Sequence, residues 1–415
     1  MKVLFIHRRG VGQFEHLAAN LAAAGGEVTL ITESVDRRLP GVRILRHRAE
    51  PPAQPHAIRS SPLATTEHHV RLGLRVAETL DALVRNEGPP DIVLGHIGWG
   101  SLMFVKDVVP RVPTLGYCEF YYHAEGADVG FDPADVITLD VRQRLRLRNA
   151  AQLVTLDAIE AGISPTGWQR SRYPEGARRR IATCHDGIDV RRFRPDRSRG
   201  LTLPDGRVIR AGDPVVTFAA RDLEPYRGFP QAVKAAARVL ERNPDAIFVF
   251  VGGDSNSYGA ARSDGRSWKE AILEETPLDP ARVFFPGQVP HETLTRLFQI
   301  SAAHVYLTYP FVLSWSVLEA LSCGALVIGS ATAPVEEAIS HGQNGLLVPF
   351  FEPEALAETI LDVLARPEAF VDMRRQARQT ILERYALDRC LARQRAIMAQ
   401  MLGAAATRST LAATG

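Results

Sequence analysis

With 415 residues, 46% of them hydrophobic and 23% charged, the chain has the make-up of an ordinary globular protein and exceeds what one core usually serves, so two domains are expected. A formal net charge of +2 excludes a global field that would draw the chain onto nucleic acid, which leaves any basic site local. The apolar run of "MKVLFIHRRG" is short for a signal peptide, no stretch approaches the roughly 20 apolar residues of a spanning helix, and the four scattered cysteines form no C-x-x-C pair, so a soluble, cytoplasmic protein is the expectation.

"VLFIH" (3–7) reads as a buried strand, "RRGVG" as a turn, "QFEHLAANLAAAGG" as a helix with Phe14, Leu17 and Leu21 on one face, and "EVTLIT" as the next strand. This βαβ opening implies a parallel sheet covered by helices. Gly10 and Gly12 lack a third glycine at the dinucleotide-binding spacing; they suit a tight turn as well as a backbone that approaches a phosphate or a sugar. The Pro- and Ser-rich segment 48–64 reads as a loop, 66–86 as a helix, and "PPDIVLGH" and "VPTLGYCEF" as two further strands around a short helix near 101–109. Residues 120–140 are aperiodic yet rich in aromatics, the profile of a long functional loop. Arg142, Arg144, Arg146 and Arg148 alternate by two in a helical segment, which spreads them over a solvated face. The Arg-, Gly-, Asp- and Pro-rich stretch 185–214 is the best domain junction.

A second α/β run follows. "VVTFAA", "AIFVFVGG", "RVFFPG", "AHVYLTY", "ALVIGS" and "GLLVP" are strands, with helices near 228–242, 267–275, 291–300, 316–323 and 334–340; further helices reach residue 403, and the tail beyond is expected to be disordered. Two α/β halves imply a cleft, with ligands beyond the carboxyl ends of the strands. No P-loop and no D-x-D occurs, so a bound diphosphate would rest on arginine, lysine, backbone amides and helix N-termini. Arg221 and Arg227 flank the turn after "VVTFAA", where they serve either a diphosphate or ordinary surface ion pairs. Ser316-x-x-Glu319 reads as a capping box; the competing reading is a carboxylate that accepts from a ligand's hydroxyl pair, and spacing does not separate the two.

"SWSVLEALSCGALVIGSATAPVEEAISHGQNGLLVP" resembles the donor-site signature of retaining glycosyltransferases of the GT-B fold, family 4 type. "GQFEHLAANLAAAGGEVTLIT" is similar to that family's first βαβ unit, "HDGIDVRRFRP" to its interdomain motif, and "ARDLEPYRGF" to its "GRLxxxKG" element. The resemblance implies two Rossmann-like α/β domains with parallel sheets facing across a cleft: an acceptor domain over 1–195, a nucleotide-sugar donor domain over 205–385, and a helix in 386–415 that packs back toward the first domain.

Carried over, the resemblance implies that Arg221 and Arg227 hold the donor diphosphate, with Gly12 in the N-terminal loop approaching the donor. Glu319 would bind the ribose, and Gln288 and Val289 would lie near the base. Phe311 stands where the motif has its first glutamate, so sugar contacts pass to backbone amides near Leu313, Ser314 and Trp315. His123, Glu119 and His96 are the catalytic candidates in place of the family's first-domain histidine.

The implied reaction is transfer of a sugar from a nucleotide-diphosphate donor, with retention, to a hydroxyl of a glycan, lipid-linked or glycolipid acceptor. It requires no metal or other cofactor and no nucleic acid, and is compatible with peripheral contact at the inner membrane face. A degenerate sugar-nucleotide-binding scaffold, motivated by Phe311, and a GT-B epimerase, which would need a carboxylate pair, are the alternatives.

Overall fold

The computed structural model describes residues 1–35, 37–47 and 62–414, with side chains to 407. Most of the loop expected over 48–64 lies outside the described residues. The chain forms two compact units, Met1–Gly187 with Leu387–Gly415, and Ile188–Ala386.

The first unit holds seven parallel strands: β1 (Lys2–Ile6), β2 (Glu27–Thr32), β3 (Val42–Arg46), β4 (Ile92–His96), β5 (Thr114–Tyr117), β6 (Ala161–Ser164) and β7 (Ile181–Thr183), in the order β3-β2-β1-β4-β5-β6-β7. The second adds a two-stranded antiparallel ribbon, β8 (Leu201–Thr202) with β9 (Val208–Ile209). Its main sheet is six parallel strands: β10 (Val215–Asp222), β11 (Ile247–Gly253), β12 (Val283–Gly287), β13 (Ala303–Tyr306), β14 (Val327–Ser330) and β15 (Leu346–Val348), ordered β12-β11-β10-β13-β14-β15. The direction of winding reverses beside β1 and beside β10, and in such sheets the carboxyl ends at the reversal are where ligands bind.

The side-chain period of two explains why both faces are covered. In β1, Val3 and Phe5 join Phe14, Leu17, Leu21, Met398 and Met401 in one core cluster. Leu4 and Ile6 join Leu72, Val76 and Leu80 in another. The helix Leu387–Thr414 thus packs within the first unit, beside Glu15–Ala23. Its backbone stays helical to Thr414 where a disordered tail was expected, in keeping with the helix propensity of alanine in "GAAATRSTLAAT".

In β10, Val215 and Ala219 enter the core with Leu297, Val317 and Leu321, while Phe218 meets Phe229 and Phe250 at 6.2 and 5.6 Å. Expected helices form at Phe229–Arg242, Trp268–Glu275, His291–Ile300, Trp315–Ser322 and Ala333–Glu336. The helix Phe229–Arg242 starts on Gly228 at φ +70°; a Cβ there would meet Leu307 Cβ at 2.4 Å, so only glycine lets this turn close on β13's exit.

The capping-box expectation for Ser316 and Glu319 does not hold. The cap is Ser314, whose Oγ accepts from Ser316 N, so Glu319 lies past the first turn and is free of that duty. The second unit's capping box belongs to Ser267 and Glu270.

Candidate functional site

Each unit gathers polar side chains at the carboxyl ends of its central strands. In the first, His7 follows β1, His96 ends β4 and Glu119 follows β5, so three neighbouring strands deliver them together. Gly98 N donates to His96 Nδ1 at 2.9 Å, which puts the ring proton on Nε2, and Nε2 donates to Glu119 Oε2 at 3.3 Å. Gln13 Nε2 donates to Glu119 Oε1 at 2.7 Å, so Gln13 Oε1 is the acceptor for His7 Nε2 at 3.0 Å. Trp99 stacks on His96 at 3.8 Å and stands edge-on to His7 at 5.0 Å.

His7 and His96 are buried, whereas about 26% of the Glu119 side chain is exposed. Burial would raise the Glu119 carboxyl, but hydrogen bonds and charge from His96, together with Gln13, outweigh it and hold the group below its usual range. Burial, reinforced by His96, pulls His7 down to about 4. The chain is therefore an ionised, partly exposed carboxylate backed directly by Gln13 and His96, with His7 behind Gln13. Gly12 lies against it at φ +52°: a Cβ would fall 2.2 Å from the His7 ring.

Of the three catalytic candidates, the structure brings Glu119 and His96 together and leaves His123 out of the network. His123 Nε2 donates to Arg172 O at 2.6 Å, with its ring 5.5 Å from Tyr121. His7 and Gln13 were not candidates from sequence; the available signal was that His7 leaves a buried strand at the winding reversal.

In the second unit, Arg221 is exposed near the end of β10 and Arg227 is 5% exposed. Arg227 Nη1 donates to Tyr306 Oη at 3.2 Å, Thr308 Oγ1 at 2.7 Å and Val312 O at 3.3 Å. All three acceptors are neutral. Among the described residues, no carboxylate pairs with either arginine, in a chain whose other arginines form many ion pairs. A buried guanidinium without a counter-charge is costly unless an anion completes it.

Glu319, 5% exposed, is 3.1 Å through Oε2 from His291 Nε2. Gln288 Nε2 donates to Arg221 O at 3.4 Å, and Val289 packs on the second unit's core. Leu313 is a core residue and Trp315 is exposed. Of the amides expected to be open to a sugar, Ser314 N donates instead to Tyr306 Oη at 2.9 Å, because the tyrosine reaches across from β13 to the helix start. Phe311, 9% exposed, stands edge-on to Tyr226 at 5.4 Å and Tyr258 at 5.5 Å. Among the described residues no group of three or more His, Cys, Asp or Glu is placed to hold a metal ion, and no helix is long and apolar enough to cross a membrane.

Comparison with known proteins matches the first unit to the "Glycosyl transferase family 4 group" over residues 24–193 and the second to "Glycosyl transferases group 1" over 204–380. D-inositol 3-phosphate glycosyltransferase of Streptomyces avermitilis is 25% identical over 289 residues, 68% of this chain; the match spans 58% of that relative's length. D-inositol 3-phosphate glycosyltransferase 1 of Catenulispora acidiphila is 24% identical over 383 residues, 87% of this chain and 84% of its own. Among solved structures, sucrose-phosphate synthase of Thermosynechococcus elongatus aligns over 97% of this chain and 100% of its own, with a TM-score of 0.72 at 20% identity. HepE of Anabaena in complex with UDP aligns over 96% and 100%, with a TM-score of 0.66 at 14% identity.

Proposed function

Matched by one or the other model over most of both units, the chain belongs to the GT-B glycosyltransferases of the family 4 and group 1 type, and from that premise we propose that it transfers a sugar, with retention at the anomeric carbon, from a nucleoside diphosphate sugar to a hydroxyl of a glycan, lipid-linked or glycolipid acceptor. The observation that carries this reading is Arg227, a buried cation whose bonding partners are all neutral. A diphosphate is the anion that would complete it, with Arg221 as the second, solvent-facing cation. Two guanidiniums supply the positive charge, so no metal is required in this reading.

As the bond from the anomeric carbon to the diphosphate breaks, negative charge grows on the departing oxygen, and fixed arginines stabilise that state more than the bound donor. The acceptor hydroxyl forms the new bond on the same face, and its proton passes to the departing phosphate oxygen. Glu319 accepts a ribose hydroxyl through Oε1 while Oε2 stays with His291. Gln288 and Val289, in the segment that carries His291, adjoin the base. Sugar contacts fall to residues 313–315, the Ser314 amide excepted. Glu119, kept ionised by His96 and Gln13, orients the acceptor hydroxyl.

The test is calorimetric titration with UDP, GDP, ADP and dTDP, with and without EDTA, followed by assignment of the product's anomeric configuration with the matching donor. Submillimolar binding of one nucleotide, indifferent to EDTA, and a retained configuration are expected. Inversion would overturn the mechanism; failure of all four to bind would overturn the donor site. The scaffold reading keeps one specific support, Phe311, and predicts binding without turnover.

A further inference from the structure

The segment that follows β11, residues 254–259, is fastened by two buried carboxylates at the end of β10. Asp222 Oδ1 accepts from Ser255 N at 3.2 Å, and Asp222 Oδ2 accepts from Ser257 Oγ. Glu224, fully buried, accepts from Ser257 N at 3.2 Å and Tyr258 N at 3.1 Å through Oε1, and from Gly259 N at 2.9 Å through Oε2. A Cβ on residue 259 would come 3.2 Å from Glu224 Oε2, so glycine there lets the backbone close on the carboxylate. Successive amides converging on one carboxylate make a tight clasp, but burying a carboxylate has a desolvation cost that its hydrogen bonds only offset. The clasp fixes the position of a single large side chain.

That side chain is Tyr258. Its ring centre lies 4.7 Å from the guanidinium carbon of Arg227, within cation–π range. Behind it, Tyr226 stacks on Tyr258 at 5.8 Å and 26°, and Phe311 meets it edge-on at 5.5 Å. Arg227 is therefore held through Nη1, with two of the five N–H donors, by oxygens around the exit of β13, and by Tyr258, whose ring meets the cation and whose hydroxyl also hydrogen-bonds it. Nε and Nη2 carry the other three donors.

We propose that Tyr258 is a positioning residue for phosphate recognition: resting on the reading that Arg227 meets the donor diphosphate, it holds the guanidinium so that its remaining donors face the phosphate oxygens. Phe311 acquires a purpose in this arrangement. An aromatic ring there braces Tyr258, where a carboxylate would supply the counter-charge that Arg227 otherwise takes from its ligand.

The experiment compares affinity for the tightest binder among UDP, GDP, ADP and dTDP with affinity for its monophosphate, in full-length wild type and in Tyr258→Phe, Tyr258→Leu and Arg227→Met. The expected result is that Tyr258→Leu lowers diphosphate affinity about tenfold and monophosphate affinity less than threefold, while Tyr258→Phe, which keeps the π face and loses only the hydroxyl's hydrogen bond, lowers diphosphate affinity less than threefold. Equal loss of both ligands in Tyr258→Leu, with a lower unfolding temperature, would reduce Tyr258 to packing and overturn the proposal. So would an unchanged diphosphate preference. Arg227→Met separates the two levels: if it abolishes the preference while Tyr258→Leu does not, only the role of Tyr258 falls. If Arg227→Met itself leaves the preference intact, or wild type binds none of the four, the diphosphate reading of Arg227 falls and takes this proposal with it.

Discussion

His291 Nε2 lies 3.1 Å from Glu319 Oε2, so a glutamate in the helix Trp315–Ser322 is tied to the first residue of the helix His291–Ile300 and takes no part in capping its own. The Glu319 side chain is 7% exposed while the His291 side chain is 44% exposed, which leaves the pair reachable from one side.

Glu319→Ala is therefore expected to lower nucleotide affinity more than tenfold, about 1.4 kcal/mol or more, with little change in unfolding temperature. His291→Ala should produce a smaller loss, because the carboxylate survives with more freedom. Titration calorimetry beside thermal unfolding checks both. Lower stability at unchanged affinity would make the pair structural.

Glu119→Gln removes the ionised member of the His7–Gln13–Glu119–His96 chain and is expected to lower kcat about 10²-fold or more, the scale of a lost acid–base or charge-orienting group. Nucleotide affinity should be unchanged, since the donor contacts proposed above lie in the second unit. His123→Ala should cost far less, because its Nε2 is committed to Arg172 O. Steady-state rates on a matched donor and acceptor decide, and a larger loss in His123→Ala than in His96→Ala would reverse the assignment.

The sheets were readable because their central strands are apolar runs punctuated by Gly and Pro, as in "AIFVFVGG" and "PPDIVLGH". β6 and β7 were not: "AGIS" and "IAT" are too short to show a period, and they become strands by pairing with β5 and with each other. Arg221, Arg227 and Glu319 stood out by sequence, but their partners did not. Two serines, 314 and 316, compete for one helix start, and only geometry awards it to Ser314. His291 is 28 residues from Glu319, and the neutral cradle of Arg227 comes from residues 306–312, separations at which no local spacing rule operates.

Gly12→Ala puts a methyl where the His7 ring lies, at a backbone φ of +52° that alanine adopts only at a cost of about 1 kcal/mol or more. The expected outcome is a stability loss of roughly 2 kcal/mol together with a fall in kcat, as His7 is pushed off Gln13. Denaturant unfolding and turnover measured on the same preparation test it. Lost stability with unaltered turnover would show that His7 does not serve the reaction.

Burial pulls His304 down to about 3 and His7, His69 and His185 to about 4. Between those values and 6.5 the unfolded chain binds protons that the folded chain does not. Stability from these groups is thus fully present above pH 6.5 and is lost as pH falls toward their folded values. His304→Leu is the clean probe, because Thr217 Oγ1 keeps Ser301 Oγ at 2.6 Å when the imidazole at 2.9 Å is gone. Unfolding free energy between pH 6.5 and 4.5 should fall less steeply in the variant, by about 1.4 kcal/mol per pH unit, one proton's worth. An unchanged slope would mean that His304 is protonated in the fold.

Phe311→Glu sets the sequence resemblance against the structure most directly. The motif has glutamate at this position, so resemblance alone makes the change a repair that strengthens donor binding. The structure argues the reverse. Residue 311 lies in an aromatic group with Tyr226 and Tyr258, and its neighbour Val312 gives its carbonyl to Arg227. A carboxylate there would lose the edge contacts that brace Tyr258 and would neutralise the Arg227 cation from within, so the nucleoside diphosphate would compete with a tethered anion. Diphosphate affinity is expected to fall at least tenfold, and the salt dependence of binding to weaken, because one fewer uncompensated charge awaits the ligand. Calorimetric titration at two ionic strengths reads both effects. Tighter binding in Phe311→Glu would show that the aromatic cluster is a lost carboxylate site and not a rebuilt one.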